Sequence, residues 1–310
     1  NAIAVRLARS FTGTEKIAFC GYHGWHDWYV SSNLNDSSNL SKHLLDGIST
    51  GGVASSLKNT SFPFAYNKIS QLEDLLKKNI KIIFMEVKRN IEPEKNFLKN
   101  VRKLANKYKA ILIFDECTSG FRETFGGLHL KYKVNPDLAV FGKALGNGYA
   151  ITAVIGKSNL MKQSQKSFIS STFWTERVGP SAAIKTLQIM EKNKSWIRIC
   201  KKGRYIKNKI KQISENSNVE IAIAGLDSHI IITFKKHHNL IKTFFTQEML
   251  KRGFLATNTI FVSLSHDDKI IKSYLFNLYK VFKIIGKNFN NKNFFLKRVY
   301  KEATIGFKRV

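Results

Sequence analysis

Short apolar runs alternate with amphipathic helical stretches along most of the 310 residues, and that alternation leaves few folds open. Ile80–Val87 (Ile-Lys-Ile-Ile-Phe-Met-Glu-Val) reads as a buried strand. Glu94–Lys109 follows with Phe97, Leu98, Val101, Leu104, Ala105 and Tyr108 on one face at the 3.6-residue period, which predicts a helix. Ala110–Phe114 is the next strand, and Asp137–Phe141 and Ile151–Ile155 are further ones. Upstream, residues 1–12 read as a helix, Lys16–Cys20 as a short strand and Lys68–Asn79 as a helix, with Gly21–Pro63 mostly loop. Downstream, helices are expected near Val178–Lys192 and Ile197–Ile213, a strand near Ile230–Phe234, and helices over Leu240–Arg252 and Lys269–Ile285. Strand–helix alternation of this kind means an α/β fold with a mainly parallel sheet. At about 100–200 residues per domain, the length predicts two domains.

Composition removes several classes. Hydrophobic residues make up 43%, enough for a large core and too many for a disordered tail protein. No apolar run approaches the roughly 18 residues of a membrane helix, so no membrane partner is expected. Cys20, Cys117 and Cys200 are three in number and widely spaced, which fits neither a disulfide framework nor a zinc site. No metal is expected, and a reducing, cytoplasmic compartment fits. The chain has no initiator Met and opens directly in a helical pattern, which suggests a fragment whose start lies upstream.

The charge needs its own account. Lys and Arg number 51 against 22 Asp and Glu, a formal charge of +29. That balance invites a nucleic-acid reading. However, the lysines are scattered over helix faces, and no RNP, zinc-finger or basic-zipper motif is present. An A+T-rich genome, which favours Lys, Asn and Ile codons, accounts for the charge more simply. A basic nucleic-acid-binding protein stays as the distant alternative, with weak, salt-sensitive binding as its signature.

In a parallel sheet, ligands sit at the carboxyl ends of the strands. Glu86, Asp115 and Lys143 all fall at such ends. Lys143 lies in Phe-Gly-Lys-Ala-Leu-Gly-Asn-Gly, which is not a P-loop because Ala144 follows the lysine. A desolvated lysine amine forms Schiff bases well, although a lysine taken alone is usually just solvated. Asp115 closes Ile-Leu-Ile-Phe-Asp one crossover earlier. By itself it reads equally as a helix cap, a metal ligand or a charge partner. Together, a lysine for an aldehyde and a carboxylate for a pyridinium nitrogen are the pair that pyridoxal 5'-phosphate (PLP) chemistry requires.

Ile113–His129 followed by Asn135–Gly148 resembles the class III PLP-dependent aminotransferases, and within them the glutamate-1-semialdehyde aminotransferase-like branch. Gly21-Tyr-His-Gly24, Ser171–Arg177 and the closing Gly306–Arg309 match the same branch. The resemblance implies a PLP-dependent transferase of fold type I. Its large domain would have a mainly parallel sheet (1–195, with its N-terminal part missing), and a smaller α+β domain would follow (196–310). It implies a transaminase that moves an amino group between an amine donor and a carbonyl acceptor. The alternative is glutamate-1-semialdehyde 2,1-aminomutase, in which both half-reactions occur on one carbon skeleton.

Position by position, Lys143 resembles the lysine of the internal aldimine, and Asp115 the pyridinium partner. Tyr22 resembles the aromatic that stacks on one ring face, with His23 in the same motif. Cys117 stands where the family often has Val, on the other ring face. Ser171 and Thr172 resemble the residues that reach the cofactor phosphate of a neighbouring subunit, which implies a homodimer with shared active sites. Glu86 matches a site-lining Glu that is usually followed by Pro, where this chain has Val87. Glu116 is expected to orient the loop. Ala150 replaces a common Pro without removing a reactive atom. The family's main phosphate-binding turn would precede residue 1. Arg122, Arg177 and Arg252 are candidates for a substrate carboxylate on charge alone.

Overall fold

The computed structural model describes residues 1–41 and 47–303. The chain divides into two compact units, the first spanning Asn1–Asn193 and the second beginning at Lys194. The Gly306–Arg309 stretch lies outside the described residues.

The first unit is built on six strands: β1 (Ile17–Cys20), β2 (Ser61–Pro63), β3 (Ile82–Glu86), β4 (Ile111–Asp115), β5 (Leu138–Phe141) and β6 (Ala153–Gly156). They lie in the order β2-β1-β3-β4-β5-β6. Every pairing is parallel except β5 with β6, which is antiparallel. The continuous apolar runs of β1, β3, β4 and β5 follow from this position, because every residue in all four strands is buried. Helix Ala2–Thr12 buries Ala4, Val5, Leu7 and Ala8, and they share a core with Ile17, Phe19, Ile82, Phe84, Ile111, Ile113, Leu138 and Val140. Helix Phe97–Lys107 buries Phe97, Leu98, Val101 and Ala105, the stripe expected from its period.

The second unit carries a three-stranded antiparallel sheet of β7 (Ile221–Gly225), β8 (His229–Phe234) and β9 (Thr259–Phe261), in that order. Helices Ser195–Asn216, His238–Leu250 and Asp268–Lys287 accompany it. Their apolar faces meet in one core around Ile210, Ile230, Ile241, Phe245, Leu278 and Phe282. Asp267 caps the last of these helices by accepting the Ile270 N–H at 2.7 Å.

Two departures from the sequence reading have simple causes. β2 lies inside the stretch expected to be loop. It is three residues long and sits at the sheet edge, too short to show a period. The second unit holds three strands where one was expected. β7 and β9 are only partly buried, so they lack the solid apolar run that marks β8.

Candidate active site

Parallel pairing brings the carboxyl ends of β1, β3, β4 and β5 to one edge of the sheet. Glu86 and Asp115, the last residues of β3 and β4, are register partners. Asp115 is also paired with Val140, three residues before Lys143. Residues from four separate segments are thus delivered to one place, each by its own crossover.

Asp115 is buried, and its carboxylate accepts three hydrogen bonds. His23 Nδ1 lies 2.8 Å from Oδ2, Asn1 Nδ2 donates to Oδ2 at 2.8 Å, and the Cys117 N–H donates to Oδ1 at 3.0 Å. Burial pushes this carboxyl up, but the His23 hydrogen bond and charge, with the Cys117 amide, more than offset it and hold the group down at about 2. The second nitrogen of His23 faces the Cys20 carbonyl at 3.2 Å. The ring is thus set between two acceptors, the Asp115 carboxylate and the Cys20 carbonyl. Phe84 and Tyr29 stand edge-on to the imidazole at 4.7 and 5.5 Å, and Trp28 stacks on it at 5.9 Å.

Lys143 sits two residues past β5, at φ 45°. A side-chain-bearing residue in the left-handed region is strained, and such strain is kept where the surroundings fix it. Its Nζ donates to Thr118 Oγ1 at 3.2 Å. Thr118 is itself held by Arg122, whose Nε donates to the Thr118 carbonyl at 2.6 Å. A Cβ on Gly142 would stand 3.6 Å from Cys117 Sγ, so the thiol lies against the lysine loop. Burial, then the neighbouring Asp115 charge and hydrogen bond, push this thiol up to about 12 against the opposing pull of Lys143. It is a protonated, weakly nucleophilic group.

Glu86 is buried below Tyr22, and its Oε2 accepts the Tyr22 N–H at 3.1 Å. Gly21 makes this possible, since a Cβ there would fall 2.6 Å from that oxygen, at a φ of 111° that glycine tolerates. Burial raises the Glu86 carboxyl, with Arg89 and His23 opposing. Arg89 Nη1 lies 3.5 Å from Glu86 Oε1, and its guanidinium sits over the Tyr22 ring, 5.3 Å from the centroid. Glu116 points elsewhere. Its Oε1 accepts the N–H of His129 at 3.0 Å and faces the ring Nδ1 at 2.8 Å, while Oε2 accepts the Ser119 hydroxyl.

Lys143, Asp115, His23, Cys117, Glu86 and Tyr22 thus share one strand edge. Ser171 and Thr172 do not join them. They are exposed at the start of a 3₁₀ turn, where Ser171 Oγ accepts the Phe173 N–H at 3.3 Å. They line or adjoin a cavity of about 510 Å³ beside helix Ala2–Thr12, whose walls include Arg6, His26, Ser171 and Trp174. Of the arginines picked by charge, Arg252 is ion-paired with Glu248 at 2.8 Å, Arg122 is spent on Thr118, and Arg177 is exposed. Three residues escaped the sequence reading: Asn1, Thr118 and Arg89. Asn1 and Thr118 carry no local signal. Arg89 did carry one, a cation three residues past a strand-end acid.

The chain matches the family model "Aminotransferase class-III" over residues 2–264. It is 38% identical over 244 residues to 3-aminobutyryl-CoA aminotransferase of Cloacimonas acidaminovorans, covering 76% of this chain and 55% of that one. It is 30% identical over 309 residues to glutamate-1-semialdehyde 2,1-aminomutase of Wigglesworthia glossinidia brevipalpis, covering 91% and 71%. The chain therefore spans just over half the length of the first relative and about seven-tenths of the second. Among solved structures, the FumI protein of Sphingopyxis sp. MTA144 in its PLP internal aldimine form superposes with a TM-score of 0.81 at 21% identity, over 94% of this chain and 69% of that one. An omega-transaminase from Sphaerobacter thermophilus gives 0.79 at 19%, over 91% and 71%. At these identities the structural likeness shows the fold, which is that of PLP-dependent transaminases. Sequence and fold agree with the strand-edge lysine and carboxylate, and the chain belongs to the class III aminotransferase family, whose members depend on PLP.

Proposed function

We propose that this chain carries the catalytic centre of a transaminase that moves an amino group between a small amine donor and a carbonyl acceptor. The observation that carries the reading is the buried Asp115 carboxylate, held ionised one strand away from the Lys143 loop. The residues fit PLP by the chemistry of the donor set. An anionic carboxylate suits a protonated ring nitrogen, and a primary amine suits an aldehyde. A buried Asn1 Oδ1 without a partner, beside Asp115, leaves room for one more polar contact there. When bound, the cofactor supplies an electron sink for the carbanion formed at the amine-bearing carbon.

The chain's own residues do the rest. Asp115 keeps its charge because His23 and the Cys117 amide stabilise it, so it can hold a proton on a ring nitrogen facing it. Lys143 Nζ is the base that takes the proton from the amine-bearing carbon of the substrate and would return it, across the nitrogen, to the carbon that the cofactor's aldehyde supplies. Thr118 Oγ1 accepts from the amine when it is charged and can donate to it when neutral, which fixes its position through the transfer. Tyr22 offers a ring face, and Cys117 a small apolar contact.

The second reading is glutamate-1-semialdehyde 2,1-aminomutase. It is supported by relatives of that name at 28–38% identity, and the same residues serve both reactions. Residues 1–195 form the cofactor domain and 196–310 the small domain in this reading. The working unit is a homodimer, in which Ser171 and Thr172 reach the partner's cofactor phosphate. Support comes from the apolar surface around them: Phe168, Phe173, Trp174 and Val178 are all exposed. We place the enzyme in the cytoplasm on its cysteines, which form no disulfide among the described residues; no helix among those residues is long and apolar enough to cross a membrane.

The test is to add PLP and record the visible absorbance, with Lys143→Ala as control. The reading requires a band that borohydride locks covalently onto Lys143 and that an amine donor bleaches. Absence of the band both here and in a longer version carrying the family's phosphate-binding turn overturns it. If glutamate-1-semialdehyde alone turns over with no second substrate, the aminomutase reading replaces the transaminase.

A further inference from the structure

The turn after β4 is pressed against the strand that leads into the lysine loop. The Gly120 N–H donates to the Glu116 carbonyl at 2.7 Å, and the Phe121 N–H to the Gly126 carbonyl at 2.7 Å. A Cβ on Gly120 would stand 2.6 Å from the Phe141 ring, so the turn lies this close to the end of β5 because residue 120 has no side chain. Phe121 then takes a φ of 57°, an outlier for a bulky residue, and packs its ring 5.2 Å from that of Phe141. Lys143, two residues beyond Phe141, also lies in the left-handed region. Strained residues persist where their surroundings over-determine them.

Arg122 closes this turn. Its Nε donates back to the Thr118 carbonyl at 2.6 Å. Pinning a carbonyl fixes the peptide plane beside the side chain that shares its α-carbon. For Thr118 that side chain is the hydroxyl that meets Lys143 Nζ at 3.2 Å. The contacts therefore run from a guanidinium, through one residue, to the lysine amine. Burial holds the guanidinium below its ordinary value, so the turn keeps this cation at a desolvation cost.

We infer that Arg122 is a positioning residue for the Lys143 amine: it holds Thr118 so that the hydroxyl fixes where Nζ stands. The inference rests on the amino-transfer reading for what the amine reacts with, and on the contacts of the turn for its geometry. The Thr118 hydroxyl accepts from a charged amine and can donate to a neutral one, so the amine is tethered in either state. A tethered amine is less open to a small reagent arriving from solvent, and better directed to a carbonyl held in one place. Losing the tether should speed the first reaction and slow the second. A turn that is merely structural would not split them.

Both reactions can be followed. In the protein without PLP, lysines are methylated with dilute formaldehyde and borohydride, and the rate at Lys143 is read by peptide mass spectrometry against the exposed Lys166 and Lys272. Arg122→Gln and Thr118→Val should each raise the Lys143 rate roughly two- to tenfold, the worth of one hydrogen bond, and leave the two reference lysines unchanged. The double variant should go no further than Thr118→Val alone. Arg122→Lys, which can still donate to the carbonyl, should recover part of the wild-type rate. When PLP is added, the visible band should grow roughly two- to tenfold more slowly in Arg122→Gln than in wild type. A wild-type methylation rate in Arg122→Gln, or gains that add in the double variant, overturn the assignment. So does a change of the same sign in both reactions, or reference lysines that move with Lys143. Should the wild-type protein give no band with PLP, the amino-transfer reading falls while the methylation series still judges Arg122.

Discussion

Asp115 and Glu116 are adjacent in sequence, both buried, and each has a histidine Nδ1 at 2.8 Å. Their roles nevertheless differ. The partners of Asp115 come from far along the chain: Asn1 and His23, 114 and 92 residues away. They hold its charge at the mouth of the lysine loop. The partners of Glu116 are local, Ser119 and His129, and they close the 116–129 loop upon itself. Strand alternation explains the split, because consecutive side chains at a strand end leave on opposite faces. Burial and a histidine partner do not by themselves mark a reactive carboxylate. What sets Asp115 apart is that its partners converge on it from the chain's first residue and from the loop after β1, next to the strand that leads into the Lys143 loop.

This contrast can be broken experimentally. Lys143→Ala should lower amino transfer by about a thousandfold or more while the melting temperature holds, since the side chain is exposed and its amine bonds to the Thr118 hydroxyl at the surface; turnover and thermal unfolding check both parts. Asp115→Asn should cost turnover roughly a hundredfold, while Glu116→Gln should cost less than tenfold but lower stability by about 1–3 kcal/mol, read from denaturant midpoints. Equal effects in the two variants would erase the distinction.

Acid titration sharpens it further. The folded Asp115 carboxyl lies at about 2, below its ordinary 3.8. Its contribution is therefore complete above about 4 and lost as pH falls toward 2, a loss on the order of 2 kcal/mol that Asp115→Asn should flatten. Glu86 has the opposite sign. Its carboxyl is raised, so its contribution favours folding below the ordinary value of 4.5 and is lost as pH climbs through the folded value. Glu86→Gln should remove that slope. The smallest effect belongs to Cys117→Val, which should change turnover by less than about threefold, because the thiol acts as a small apolar group. Wild-type Cys117 should also react slowly with iodoacetamide near pH 8, its thiol being held up at about 12.

The strands that build the site were readable because a parallel strand covered on both faces is apolar throughout, as β3 and β4 are, and because Glu86 and Asp115 interrupt that pattern at its end. Lys143 was readable through the glycines around it. The contacts that tune these residues were not. Asn1 reaches Asp115 across 114 residues, and no period in sequence records such a meeting. Thr118 looks like any loop threonine until β4 and β5 are set side by side. β7 was missed although Ile221 and Ile223 alternate, because a half-buried strand of five residues resembles the polar stretches around it.

The antiparallel return of β6 has a practical consequence. Because β6 pairs back along β5, Phe141 with Ala153 and Leu138 with Gly156, Lys143 rides on the bend of a hairpin instead of the start of a long crossover. One leg of that hairpin is the last strand of the sheet, and Ile155 and Gly156 on it are exposed. Peeling that leg away frees the lysine loop without disturbing β1, β3 or β4. Amide hydrogens of β6 should therefore exchange sooner than those of β4, and gentle heating should extinguish activity at a temperature where the rest of the fold is still intact.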